Sequence, residues 1–162
     1  MVLLHPYNPL WRLLFWVEKA RLWLSLRGRV LGIEHVGSTA IPGMPAKPEI
    51  DISVAVPDYE QAWELVNVLK GISYRYLGEN PDLREYSFEK CRPYACTLFM
   101  CEPGGEKWQA RLRFREALRA DPTARRAYAN LKRRLAQEHA NDLLSYQRAK
   151  LPFVQEILRR NP

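Results

Sequence analysis

Cysteine and histidine are both scarce in this chain of 162 residues, with three of each. Cys91, Cys96 and Cys101 stand five apart, an odd set with no secretory signal ahead of it, which argues against a disulfide framework. The segment His5-Pro6-Tyr7-Asn8-Pro9 would break the apolar stretch of such a signal. The cysteine spacing matches no common zinc pattern, and the three histidines lie far away in sequence. Cys91 falls in a turn, while Cys96 and Cys101 take opposite faces of one strand, so all three read as reduced thiols. Long apolar runs are missing as well. The nearest candidate, residues 10–26, is interrupted by Arg12, Glu18, Lys19 and Arg21, so nothing matches the roughly 20 residues of a membrane span. There is no internal repeat, linker or low-complexity tract, and aromatic residues are not interleaved with basic ones as in single-strand nucleic-acid binders. With 47% hydrophobic and 27% charged residues, the expectation is one globular domain over residues 1–162, located in the cytoplasm.

What is present is charge, unevenly spread. The net +7 divides into −2 over residues 1–106 and +9 over residues 107–162. An acidic part facing a basic helical part suits a polyphosphate ligand, although solvated arginine-rich helix surfaces are the plainer alternative. Charge alone does not make a nucleic-acid protein, and nucleic acid ranks last among the expected partners.

Periodicity and punctuation supply the elements. Asn8-Pro9 starts a helix whose apolar positions Leu10, Leu13, Leu14, Val17, Ala20 and Leu24 recur at helical spacing, widened by Trp11, Trp16 and Trp23. The expectation is a heavily buried helix ended by Arg27-Gly28. Residues 30–36 and 50–56 read as strands, with the second bounded by Pro48 and Pro57. Asp58 caps a helix running to about Leu69, terminated by Gly71. Residues 73–77, 85–90 and 95–101 are extended, and the rest is helical. One helix ends near Ala120, Asp121-Pro122 caps the next, and Asn141 or Asp142 caps a third that Pro152 divides. An N-terminal helix, a mixed sheet flanked by helix and a closing helical bundle define an α+β class.

The chemistry concentrates between residues 35 and 54. A small-residue turn, Gly37-Ser38, ends one apolar run, and a second run carries acids at alternate positions, Glu49 and Asp51, with Ser53 next. Alternate residues of a strand share a face, so both carboxylates point one way. Paired acids of this kind suit Mg²⁺ or Mn²⁺, which combines carboxylate oxygens with the phosphate oxygens of a substrate. A glycine-serine turn facing them offers backbone N–H groups and a hydroxyl to a phosphate. The combination suggests nucleotidyl transfer from a nucleotide triphosphate. Glu49 is either a second metal ligand beside Asp51 or a solvent-facing edge residue. Lys47 is either a point charge on the triphosphate or an exposed loop lysine. His35 reads as a buried, hydrogen-bonded strand histidine.

The string His35-Val36-Gly37-Ser38-Thr39-Ala40-Ile41-Pro42-Gly43, with Ala46-Lys47-Pro48 and Ile50-Asp51-Ile52, resembles the signature of the GrpB (UPF0157) family. The likeness continues through Glu102-Pro103-Gly104, Phe114-Arg115, residues 128–132 and residues 146–150. The resemblance implies a nucleotidyltransferase-like fold, with Asp51 as its metal carboxylate and the closing helices completing the ligand cleft. Lys132 and Lys150, each four residues after a tyrosine, then join Lys47 as phosphate-binding candidates; Lys90 and Arg115 also match family positions. Two departures bear on catalysis. Ser53 stands where many active transferases carry a second acid, and residues 96–101 lack the histidines common in relatives, leaving proton removal to a metal-bound water or to Glu102. A non-catalytic nucleotide-binding or interaction module on the same fold is the alternative.

Overall fold

The computed structural model describes residues 1–161 and shows an α+β architecture. Helix α1 (Leu10–Leu26) opens on Asn8, whose side chain accepts the Leu10 N–H at 3.0 Å, and ends at Arg27 and Gly28, both in the left-handed region. Strands β1 (Gly32–Val36), β2 (Glu49–Ala55), β3 (Arg75–Asn80), β4 (Glu85–Lys90) and β5 (Ala95–Cys101) form one sheet in the order β1-β2-β5-β4-β3. Neighbours are antiparallel except β2 and β5, which run parallel with Asp51 opposite Thr97. Helices α3 (Glu106–Ala120), α4 (Pro122–Glu138) and α5 (Leu143–Arg160) make the closing bundle. Asp121 caps α4 through the Thr123 and Ala124 N–H groups, and Asp142, not Asn141, caps α5 through Ser145. No helix among the described residues is long and apolar enough to cross a membrane.

Three expectations are corrected. The buried stripe of α1 is Trp11, Phe15, Glu18, Leu22 and Leu26, whereas Leu10, Leu13, Trp16, Val17, Trp23 and Leu24 are 49–72% exposed. Apolar residues surround this helix, so spacing alone cannot choose its face. Glu18 does, because its carboxylate meets Lys90, Tyr74 and Tyr94 only beneath the sheet. The segment after Asp58 is a 3₁₀ turn (Gln61–Glu64) followed by a short helix α2 (Leu65–Gly71), and the left-handed residue beyond it is Ser73, not Gly71. Pro152 does not divide α5. It sits on the exposed face, where water can hydrate the carbonyl its missing N–H leaves free.

The sheet has two unlike faces. Ile50, Ile52, Val54, Leu98, Met100 and Phe88 are fully buried against α1 and α2, and each such side chain contributes about 1.5–3 kcal/mol. The opposite face carries Glu49, Asp51 and Ser53 on β2 beside Thr97 and Phe99 on β5. Trp108 of α3 covers its far end by packing on Ala55 and Cys101. The β1–β2 loop is drawn into the bundle core, where Ile41 and Met44 are buried with Leu118, Tyr128 and Ile157. That anchoring holds the loop over the acidic end of β2.

Candidate functional site

The site begins where β1 stops. Val36 pairs with Asp51, and the chain then turns at Gly37 with φ of 69°. A Cβ at Gly37 would lie 2.1 Å from Asp51 Oδ2, so the glycine is required by the close approach of the aspartate as well as by its backbone angle. Residues 38–40 form a single 3₁₀ turn. Within it Thr39 Oγ1 donates to the Glu49 carbonyl at 3.1 Å, and His35 Nε2 lies 3.0 Å from the same hydroxyl. The hydroxyl proton is used on the carbonyl, so Nε2 carries the imidazole proton. His35 is buried and stacked on Phe15, which confirms a strand histidine committed to the fold.

The acids differ in their surroundings. Glu49 accepts the Thr97 hydroxyl on one oxygen and the Lys47 ammonium, at 3.2 Å, on the other. Asp51 is half-buried in the cavity wall, and loss of solvation, then the neighbouring Glu49 charge, push its carboxyl up to about 7 against the pull of Lys150, Arg111 and Lys47. Lys132 of α4 is buried, donating to Ser38 Oγ at 2.7 Å and to the Pro45 carbonyl. Burial and nearby Lys150 pull its ammonium down to about 7, although Asp51 opposes the shift. Lys150 of α5 lies 4.5 Å from the Tyr146 ring and is also held below the usual lysine range by burial.

A cavity of about 180 Å³ gathers these groups: Ser38, Lys47, Glu49, Asp51, Lys132 and Lys150 all line it, with Tyr146 and Gln147 from α5. Gly37 stands behind the wall against Asp51. Three other family-matched residues lie elsewhere. Lys90 pairs with Glu18 on the opposite face of the sheet, Arg115 pairs with Glu34 at 2.7 Å, and Glu102 receives Arg84 and the Tyr59 N–H. Glu102 follows β5 at the end opposite the cavity, so it does not serve there as a base. The residues that sequence reasoning missed are Thr39 and Thr97. Thr39 lies inside the motif string, but the Thr97 contact depends on the β2–β5 register, which no local spacing reveals.

The far part of the acidic face is closed. Arg111 of α3 lies 3.9 Å over the Phe99 ring and pairs with Glu85, and Ser53 is fully buried with its hydroxyl lacking a partner among the described residues. No group of three or more His, Cys, Asp or Glu able to hold a metal occurs among the described residues.

A mixed sheet whose second strand carries paired carboxylates beside a glycine-serine turn, with helices closing over them, is a nucleotidyltransferase-like fold. The terminal uridylyl transferase 4 of Trypanosoma brucei, solved with bound UTP, superposes with a TM-score of 0.52 and 17% identity over 91% of this chain and 50% of that one. That likeness is one of fold. Within this class the chain belongs to the GrpB family, whose profile, described as GrpB protein, matches residues 1–160. A UPF0157 protein of Halalkalibacterium halodurans is 36% identical over 159 residues, 98% of this chain and 82% of that one. The crystal structure of the conserved protein GrpB from Enterococcus faecalis superposes with a TM-score of 0.88 at 28% identity, covering 98% of this chain and 96% of that one.

Proposed function

We propose that the cavity binds the phosphate chain of a nucleotide triphosphate together with one divalent cation, and that the bound nucleotide is a donor for nucleotidyl transfer. The observation that carries this reading is the convergence of two same-face carboxylates, a serine turn and three lysines on one cavity. Three ammonium groups against two carboxylates favour a polyanion. At about 180 Å³ the cavity is smaller than the roughly 300–1,000 Å³ that encloses a whole drug-sized ligand, so it suits the phosphates and leaves base and sugar near its mouth.

Asp51 and Glu49 supply the donors for one Mg²⁺ or Mn²⁺, whose other oxygens would come from phosphate and water. The donor set fits one cation and not two, because Ser53 follows at the next same-face position and Thr97 stands across on β5. A bound cation would neutralise phosphate charge and polarise the phosphoryl oxygens. Lys47 and Lys150 act as point charges on the phosphates. Ser38 offers its hydroxyl, and Lys132 holds the turn that presents it. In the transfer step an acceptor hydroxyl or amine attacks the α-phosphate and gives its proton to water, the bond to the bridging oxygen breaks, and pyrophosphate leaves. The cytoplasm, with its nucleotides and Mg²⁺, is the fitting compartment.

One observation favours the second reading, a binding module without transfer. The hydroxyl of Ser53 replaces a carboxylate, and neither His35 nor Glu102 is free at the cavity as a base. Isothermal titration with ATP, GTP, CTP and UTP, with Mg²⁺ or Mn²⁺ and then with EDTA, tests both readings. Binding weakened about tenfold or more by EDTA and by Asp51→Asn is expected, a loss typical of a charged partner. Transfer of label from an α-labelled nucleotide supports the donor role, whereas metal-independent binding without transfer supports the module. No heat with any of the four at millimolar concentration overturns nucleotide binding.

A further inference from the structure

A second cleft, about 360 Å³ and twice the volume of the first, opens between α1, β1 and α3. Helix α1 lines it with Arg12, Trp16 and Lys19, spaced so that they share one face, and α3 adds Arg115 and Arg119. Glu34 is the one carboxylate in the wall, and its charge is met by Arg115 at 2.7 Å. Arg115 also donates to the His35 carbonyl at 2.7 Å, and Arg119 donates twice to the Ala40 carbonyl, at 3.1 and 2.7 Å. These bonds fix two guanidinium groups in place. Arg12 and Lys19 meet no carboxylate within ion-pair distance among the described residues, and the Lys19 ammonium rests 5.1 Å from the half-exposed Trp16 ring.

Four cations face two carboxylates, Glu34 in the wall and Glu116, which meets Arg115 at 2.6 Å and Arg119 at 3.2 Å, and the remaining excess, carried by Arg12 and Lys19, leaves a positive potential that a concave wall concentrates. The neighbouring groups feel it. Burial holds the His35 imidazole down at about 3, with Arg119 and Arg115 adding to the effect, and burial with Arg115 lowers Arg119 itself.

We propose that this cleft is a second ligand site for a small organic anion, one carrying a phosphate or carboxylate on a flat ring. The anion lies between Arg12, Lys19 and Arg119, where a guanidinium can bind two of its oxygens, and the ring lies against Trp16 and Tyr7. Thr39 forms the partition, since it lines both cavities. The cleft's chemistry stands whatever occupies the carboxylate cavity.

Phenyl phosphate is the probe, titrated into the ¹⁵N-labelled full chain while the Trp16 indole N–H and the amides of residues 12–19 and 34–41 are followed by NMR. Benzoate separates the carboxylate from the phosphate source, and inorganic phosphate and phenol separate anion from ring. Saturable shifts at these residues are expected, with phenyl phosphate binding several-fold more tightly than either single-feature control. Arg12→Ala combined with Lys19→Ala removes two surface side chains and should weaken binding about tenfold or more. Asp51→Asn should leave it unchanged, which separates this site from the nucleotide reading. No saturation by about 20 mM probe overturns the site, since even small ligands gain affinity from each atom they bury. So do shifts centred on Lys132 and Lys150, unchanged affinity in the double variant, or phenyl phosphate binding no better than inorganic phosphate.

Discussion

His35 shows how much a single side chain can reveal about its surroundings. It is buried against Phe15, bonded to Thr39, and held as a neutral imidazole far below its usual range, to about 3. The folded state therefore binds fewer protons than the unfolded chain between about pH 3 and pH 6.5. Its contribution to stability is complete above pH 6.5 and is lost as pH falls toward 3, reaching about 2 kcal/mol of destabilisation at pH 5. Urea midpoints at pH 7, 6, 5 and 4 should fall more steeply for the natural chain than for His35→Gln. Equal slopes would show that the imidazole is not held neutral. At the same scale, Gly37 was legible as a turn residue, but not the reason for it. Asp51 Oδ2 occupies the space of the missing side chain, a contact that exists only once β1 and β2 pair.

At the scale of elements, capping signals were reliable because they act within three residues. Asn8, Asp121 and Asp142 each accept the backbone N–H groups their positions promised. Helix α1 departs from expectation because its apolar residues fall on every face and leave little periodic contrast, and its inward face is chosen by the polar partners of Glu18. Helix α5 was misread for the opposite reason, since a proline was given more breaking power than an exposed position grants it. Proline in a helix interior costs about 3 kcal/mol relative to alanine, and Pro152 is exposed. Pro152→Ala should stabilise the protein by about 1–3 kcal/mol, seen as a rise of several degrees in the thermal midpoint. An unchanged midpoint would mean that hydration of the freed carbonyl already compensates for the lost bond.

At the scale of the whole molecule, one buried ion pair fastens the N-terminal helix to the sheet. Glu18 and Lys90, 72 positions apart, are almost wholly enclosed, and the Tyr74 and Tyr94 hydroxyls donate to the carboxylate at 2.9 and 2.7 Å. Burial pushes Glu18 up, but the bonds from Lys90 and Tyr94 outweigh it and leave the carboxyl below its usual range. Lys90→Met strands that charge and should cost about 3–5 kcal/mol in denaturant unfolding. Adding Glu18→Gln should recover a large part of the loss, because the charge goes and hydrogen-bonding atoms remain for the tyrosines. No recovery in the double variant would show that Lys90 acts by packing alone. The basic C-terminal third is likewise organised by folding, since Arg111 and Arg115 meet Glu85 and Glu34 of the sheet.

The sequence by itself determined what depends on near neighbours along the chain. Strand alternation aligned Glu49 with Asp51, Gly37-Ser38 ended the strand before theirs, and the long motif string carried the family likeness. Tertiary structure decided what depends on partners distant in sequence. The parallel pairing of β2 with β5 put Thr97, not a further acid, beside Glu49. The bundle brought Lys132 and Lys150 to the acids, and the same folding left Glu102 at the far end of β5. The division follows from range. Backbone geometry repeats over a few residues, whereas sheet register and helix docking are set by burial and charge summed over the whole molecule.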